Sequence, residues 1–131
     1  MPHSRRVGDC ADPRDKGGGV RTFPERRPGI EYLTEGGQET EVMYKHGLEL
    51  PEFAMFPLLD DPAAVTVLRD MYRRYLDTAA RHGFAVLMGG LDYRASPDWA
   101  GLIGYSPEAL ADMQHRAIGF LREVEIGRAH V

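Results

Sequence analysis

Residues Ile30 to Glu41 read I-E-Y-L-T-E-G-G-Q-E-T-E. The apolar run Ile30 to Thr34 predicts a short strand, closed by an acid, two glycines and a second polar cluster. In parallel α/β architectures ligands gather at the carboxyl ends of strands, so the residues that follow such a strand are the first to examine. Glu35 stands at that edge and is the leading candidate to touch a small polar substrate. Gly36 and Gly37 let backbone approach a ligand closely or adopt dihedrals that a side chain would forbid. A plainer reading has the glycines turning the chain and Glu35 solvated.

The same pattern returns downstream. Asp60-Asp61-Pro62 predicts a helix start, with an acidic cap and proline in the first turn. Val65, Leu68, Tyr72, Tyr75, Leu76 and Ala79 then recur at spacings of three and four, and Gly83 supplies the stop. Phe84 to Met88 is a continuous apolar run, as in a strand covered on both faces. It ends in Gly89-Gly90-Leu91-Asp92, paired glycines with an acid close by. After Ala95-Ser96-Pro97-Asp98-Trp99, Ser106-Pro107-Glu108 opens a second long helix with Leu110, Met113, Ala117, Leu121 and Val124 on one face. Strand, helix, strand, helix is the order of a parallel α/β fold. Between the first strand and first long helix, Thr40 to Gly47 predicts a short helical or irregular segment. Leu50 to Pro57 suits a loop packed across the end of a core.

The 131 residues suffice for one ordinary domain, and 43% hydrophobic with 27% charged residues is a globular composition. The net charge of -4 gives no reason to expect nucleic acid as a partner. Residues 1–29 depart from this balance, with seven Lys/Arg against four Asp/Glu, or +3. Their glycines, prolines and absent periodicity predict a disordered or non-native extension. No apolar run approaches the roughly 18 residues of a membrane span, so a cytoplasmic protein without a membrane partner is expected. The single cysteine, Cys10, excludes a disulfide framework and an all-cysteine zinc site within the chain. His46, His82 and His115 show no ligand-type spacing. Residues 125–131 break the helical pattern, and I-G-R-A-H-V (Ile126 to Val131) looks like translated sequencing adapter, an artefactual tail. Two strands cannot make a sheet that hides both faces, so a longer natural chain is expected.

Four segments resemble one family. L-T-E-G-G-Q-E-T-E (Leu33 to Glu41) is similar to the opening signature of the homocysteine S-methyltransferases. L-E-L-P-E-F-A-M-F-P-L-L-D-D-P (Leu48 to Pro62), Y-R-A-S-P-D-W (Tyr93 to Trp99) and G-Y-S-P-E-A-L (Gly104 to Leu110) resemble later parts of one branch, in the same order. The resemblance covers residues 30–124. It implies the first two βα units of a (β/α)8 TIM barrel, a fold that takes about 250 residues, and thus an amino-terminal fragment.

The family moves a methyl group from a sulfonium, quaternary ammonium or related donor to the homocysteine thiol, giving methionine. It uses Zn2+ held by cysteine thiolates to present that sulfur as a thiolate. The resemblance implies zinc in the full-length protein, with ligands beyond this chain, and no metal or catalytic residue within it. The fragment alone is then inactive.

By the same resemblance, Glu35 matches the acid associated with the homocysteine amino group, where most members have Asp. Gly36 and Gly37 match the backbone platform beside it. Asp92 and Tyr93 fall where the second-strand loop approaches substrate, and Gly90-Leu91-Asp92 replaces the usual polar Thr/Asn/Pro pattern. Trp99 either lines a donor pocket by stacking on a cationic methyl group or packs structurally. The alternative reading is a non-catalytic α/β binding module that self-associates through open strand edges.

Overall fold

The computed structural model describes residues 25–129, with side chains through Glu125. Cys10, most of the amino-terminal extension, His130 and Val131 lie outside the described residues. The organising element is α2, Pro62–His82. It starts where the sequence requires. Asp61 stays extended (φ -108, ψ 109) and its carboxylate accepts the Ala63 N–H at 3.0 Å, while Pro62 gives up only an N–H that the first turn leaves unused. It stops at Gly83, which is left-handed (φ 73, ψ 20). The Gly83 and Phe84 N–H groups return to the Ala80 and Ala79 carbonyls at 3.3 and 2.9 Å, closing the last turn.

That helix joins β1 (Tyr32–Thr34) to β2 (Ala85–Leu87), which pair in parallel with Tyr32 beside Ala85, Leu33 beside Val86 and Thr34 beside Leu87. Parallel pairing puts both carboxyl ends on one edge, so the residues after Thr34 and after Leu87 meet there. The architecture is mixed α/β, two parallel strands alternating with helices, and the described residues form no closed barrel. Both strands are shorter than the apolar runs that predict them. Expected to be covered on both faces, β2 is only half-buried, and Leu87 is 50% exposed. An apolar run reports what a strand would bury if covered; among the described residues no second layer covers it.

The core sits instead between α2 and α4 (Pro107–Ala129), filled from the segment between β1 and α2. After β1 the chain makes a short helix, α1 (Gln38–Thr40), that widens into a π-turn (Glu41–Lys45). Two 3₁₀ turns follow, Pro51–Phe53 and Phe56–Asp60. Ala54, Met55 and Phe56 are essentially sealed, with Leu58 and Leu59 close behind. The stretch expected to lie across the end of a core is therefore central to it. From α2 come Ala64, Leu68, Met71 and Tyr72; from α4 come Leu110, Met113, Ala117, Phe120 and Val124. A short α3 (Pro97–Leu102) lies before α4. The backbone of α4 continues to Ala129, past the expected break at Glu125. Gly127 is the sole breaker there, and one glycine costs a helix only about 1 kcal/mol. No helix among the described residues is long and apolar enough to cross a membrane.

Asp60 ties the 3₁₀ turn to α4. Its carboxylate accepts from Arg116 Nη1 at 2.7 Å and from the Tyr105 hydroxyl at 3.2 Å, while Arg116 Nη2 donates to the Leu59 carbonyl at 2.8 Å. The hydrogen bond from Arg116 holds the Asp60 carboxyl below its ordinary range. A depressed folded-state value means the stabilisation is complete above the unfolded carboxylate range, near 3.9, and disappears as pH falls through the folded value. The pair is exposed, so Asp60→Asn is expected to cost about 1 kcal/mol or less at neutral pH. Urea unfolding of wild type and variant should converge as the pH falls through the depressed folded-state value of Asp60. A difference unchanged by acid would contradict the role given to the charge.

Candidate functional site

Thr34 ends β1 and Gly89 lies two residues beyond the end of β2, so Glu35 and Gly89 face each other across the shared sheet edge. Both Glu35 carboxylate oxygens lie 2.9 Å from the Gly89 N–H, which donates to the pair. Gly89 has to be glycine for this. A Cβ added there falls onto Glu35 Oε1, so the carboxylate occupies the space of the missing side chain. Glu35 is half-buried and retains lone pairs beyond those facing Gly89.

Behind this contact lies Tyr72 of α2, fully buried, with its hydroxyl 3.0 Å from Gln38 Oε1 and 3.2 Å from the Gly89 carbonyl oxygen. One phenol hydrogen cannot serve two acceptors. With the Gln38 amide turned over, its NH₂ donates to the Tyr72 oxygen and the Tyr72 hydrogen goes to Gly89. That orientation also gives a partner to Gln38 Nε2, which is otherwise buried without one. Burial, first, and then the negative charge of Glu35 push the Tyr72 hydroxyl well above its ordinary pKa. The Gln38 hydrogen bond opposes this, and Glu39 and Asp92 add smaller contributions to the rise. Tyr72 is thus a neutral donor, and three carboxylates, Glu35, Glu39 and Asp92, surround it with negative potential. One turn along α2, the Tyr75 hydroxyl accepts the Gly36 N–H at 3.3 Å and fastens the loop after β1.

The residues expected from sequence divide unevenly over this arrangement. Glu35 is at the sheet edge as expected. Gly36 and Gly37 flank it, but neither has positive φ, and a Cβ on either meets neighbours only at 3.5 Å, an ordinary contact. Their glycine character is not a conformational demand; of the two pairs, Gly89 is the glycine whose Cβ would displace the Glu35 carboxylate. Asp92 is exposed, its carbonyl accepts the Ala95 N–H at 3.0 Å in a turn, and its charge reaches Tyr72. Tyr93 is 54% exposed, and the Arg94 guanidinium lies 5.5 Å from its ring centroid. The cation over Trp99 is the chain's own: the Arg94 guanidinium stands 3.8 Å above the indole centroid. Tyr72 and Gln38 are not among the site residues expected from sequence, and Gly89 enters there only as one of a glycine pair. Tyr72 reads there as one more apolar position, although a buried tyrosine usually needs a partner for its hydroxyl, and that was the available signal.

Among the described residues no group of three His, Cys, Asp or Glu is placed to hold a metal ion. The site is therefore an acidic rim on a parallel α/β edge, braced by a neutral buried phenol. Compared with known proteins, the chain matches no family model, no curated protein and no solved structure.

Proposed function

We propose that the chain is the opening pair of βα units of a (β/α)8 barrel enzyme that methylates the thiol of homocysteine. The observation that carries this is the Glu35 carboxylate held by the Gly89 N–H at the carboxyl edge of a parallel strand pair, with the negative charges of Glu39 and Asp92 also felt at the buried Tyr72 behind it. An acidic rim suits an ammonium group. Glu35, already fixed by Gly89, has free lone pairs to accept N–H donors from the amino group of homocysteine. The Gly36 and Gly37 backbone, Asp92 and Tyr93 complete the rim on this reading. In the reaction the acceptor sulfur loses its proton to solvent and forms the new S–CH₃ bond. The bond from that methyl to the sulfonium sulfur or ammonium nitrogen of the donor breaks, and its electron pair stays on the donor.

No described residue is placed to activate the thiol. Tyr72 is held neutral, and the described residues do not fit the zinc ion that the family resemblance implies, so no step is assigned to zinc here. The half-covered strands also favour a fold that other strands complete. Tyr32 and Leu87, exposed at 40% and 50% on the strand pair, suit a self-associating binding module as well, but that reading gives the acidic rim no task.

The test is the product of the uninterrupted reading frame that contains these residues. It is expected to carry further strand–helix units and to form methionine from homocysteine with a sulfonium or quaternary ammonium donor. A product without those units, or one that binds homocysteine and never methylates it, contradicts the proposal.

A further inference from the structure

We propose that Arg94 is a carboxylate anchor, a guanidinium held in place by three aromatic rings that binds a small carboxylate at its open edge. The site uses neither Glu35 nor Gly89, shares only Tyr93 with the rim, and stands whether or not the methyl-transfer reading holds. The guanidinium lies 3.8 Å from the Trp99 ring centroid, 5.5 Å from that of Tyr93 and 5.7 Å from that of Phe53. All three rings are partly or largely exposed, while the Arg94 side chain is only 24% so. Cation and rings hold each other, and the long side chain has already lost much of its freedom.

What distinguishes Arg94 is that this restraint comes without hydrogen bonds. A guanidinium carries five N–H donors. Those of Arg116 go to Asp60 and the Leu59 carbonyl, and Arg74 donates to Glu41 at 2.6 Å. Among the described residues Arg94 donates none, and its one ion pair, to Glu52, is stretched to 4.0 Å. Stacking engages the guanidinium face and none of its N–H donors, and two parallel N–H groups on the edge match the two oxygens of a carboxylate, with Glu52 at 4.0 Å as the chain's own loose competitor.

The backbone around the cluster points the same way. Glu52 (φ 51), Phe53 (φ 61) and Arg94 (φ 57) are the positive-φ residues other than glycine among those described, and all three belong to this cluster. Left-handed geometry is unfavourable for such side chains and tends to persist where function needs it. Here it brings the turn at Pro51–Phe53 and the loop after β2 together over the start of α3.

Trp99 is the only tryptophan, so its fluorescence reports on the stacked cation directly. The full chain is titrated with sodium acetate against sodium chloride at matched ionic strength. A saturable change in Trp99 emission is expected with acetate and not with chloride, and it should be lost in Arg94→Gln. Arg94→Lys, which keeps the charge and the stem but not the planar fork, should bind acetate several-fold more weakly. Glu52→Gln, which removes the competing carboxylate, should bind it several-fold more tightly. Equal responses to both salts, an unchanged titration in both Arg94 variants, or a saturable response to tetramethylammonium in place of acetate would overturn the proposal. The last outcome would mark the rings as a cage that a cationic ligand enters by displacing Arg94.

Discussion

Replacing Phe56 with alanine is expected to lower the stability of this chain by about 3–5 kcal/mol, the range for truncating a buried aromatic ring. Phe56 is 1% exposed and sits in the 3₁₀ turn wedged between α2 and α4. Its ring meets Tyr105 edge to face, with centroids 5.2 Å apart and planes at 77°. Tyr105 in turn bonds Asp60, so the cavity would open beside the clamp that joins the turn to α4. Domains of this size have about 5–15 kcal/mol in total, so the variant should sit near its unfolding threshold at ambient temperature. Urea unfolding checks this, with Phe56→Leu as a control that should lose much less because most of the volume remains. A loss below about 1 kcal/mol for the alanine variant would mean that the segment before α2 does not fill the core.

The second large effect concerns a position with no side chain. Gly89→Ala puts a methyl group where Glu35 Oε1 lies. A carboxylate is the free end of a flexible side chain, so Glu35 should swing away before the backbone moves. Both 2.9 Å contacts with the Gly89 N–H are then lost. Hydrogen bonds to a charged group contribute about 1.5–3 kcal/mol, and the variant is expected to be destabilised by that amount. The mechanism makes a sharper claim than the magnitude. In a Glu35→Ala background the obstructing carboxylate and the lost bonds are both gone, so Gly89→Ala should cost little. The double-mutant cycle should return a coupling of about 1 kcal/mol or more. Equal costs in the two backgrounds would sever the link between the two strand ends.

These two positions show where sequence reading succeeds and where it stops. The ends of α2 were legible because Asp61, Pro62 and Gly83 each act within a few residues of themselves. The inward faces were legible to within one position. From Ala117 both Phe120 and Leu121 satisfy helical spacing, and packing buries Phe120 while leaving Leu121 partly exposed. Met71, between Leu68 and Tyr72, was overlooked for the same reason. Ala54 to Leu59 has no periodicity, so its central place in the core was invisible. Glu35 was found because strand ends are local features, but its partner lies 54 residues away. Two glycine pairs look alike in sequence; only the tertiary approach of Glu35 makes a side chain costly at Gly89 and leaves Gly36 and Gly37 unconstrained. Homocysteine entered through the family resemblance alone, and the proposal uses the negative charges around Tyr72 to receive its ammonium group.

The most direct measurement follows the backbone amides of Gly36, Gly37 and Gly89 by NMR. The chain is titrated with homocysteine and, separately, with the same thiol acid lacking its amino group. If the acidic rim receives an ammonium, homocysteine alone should shift these amides, and Glu35→Gln should abolish the response. Equal shifts from the two compounds, or a response that survives in Glu35→Gln, would contradict the account.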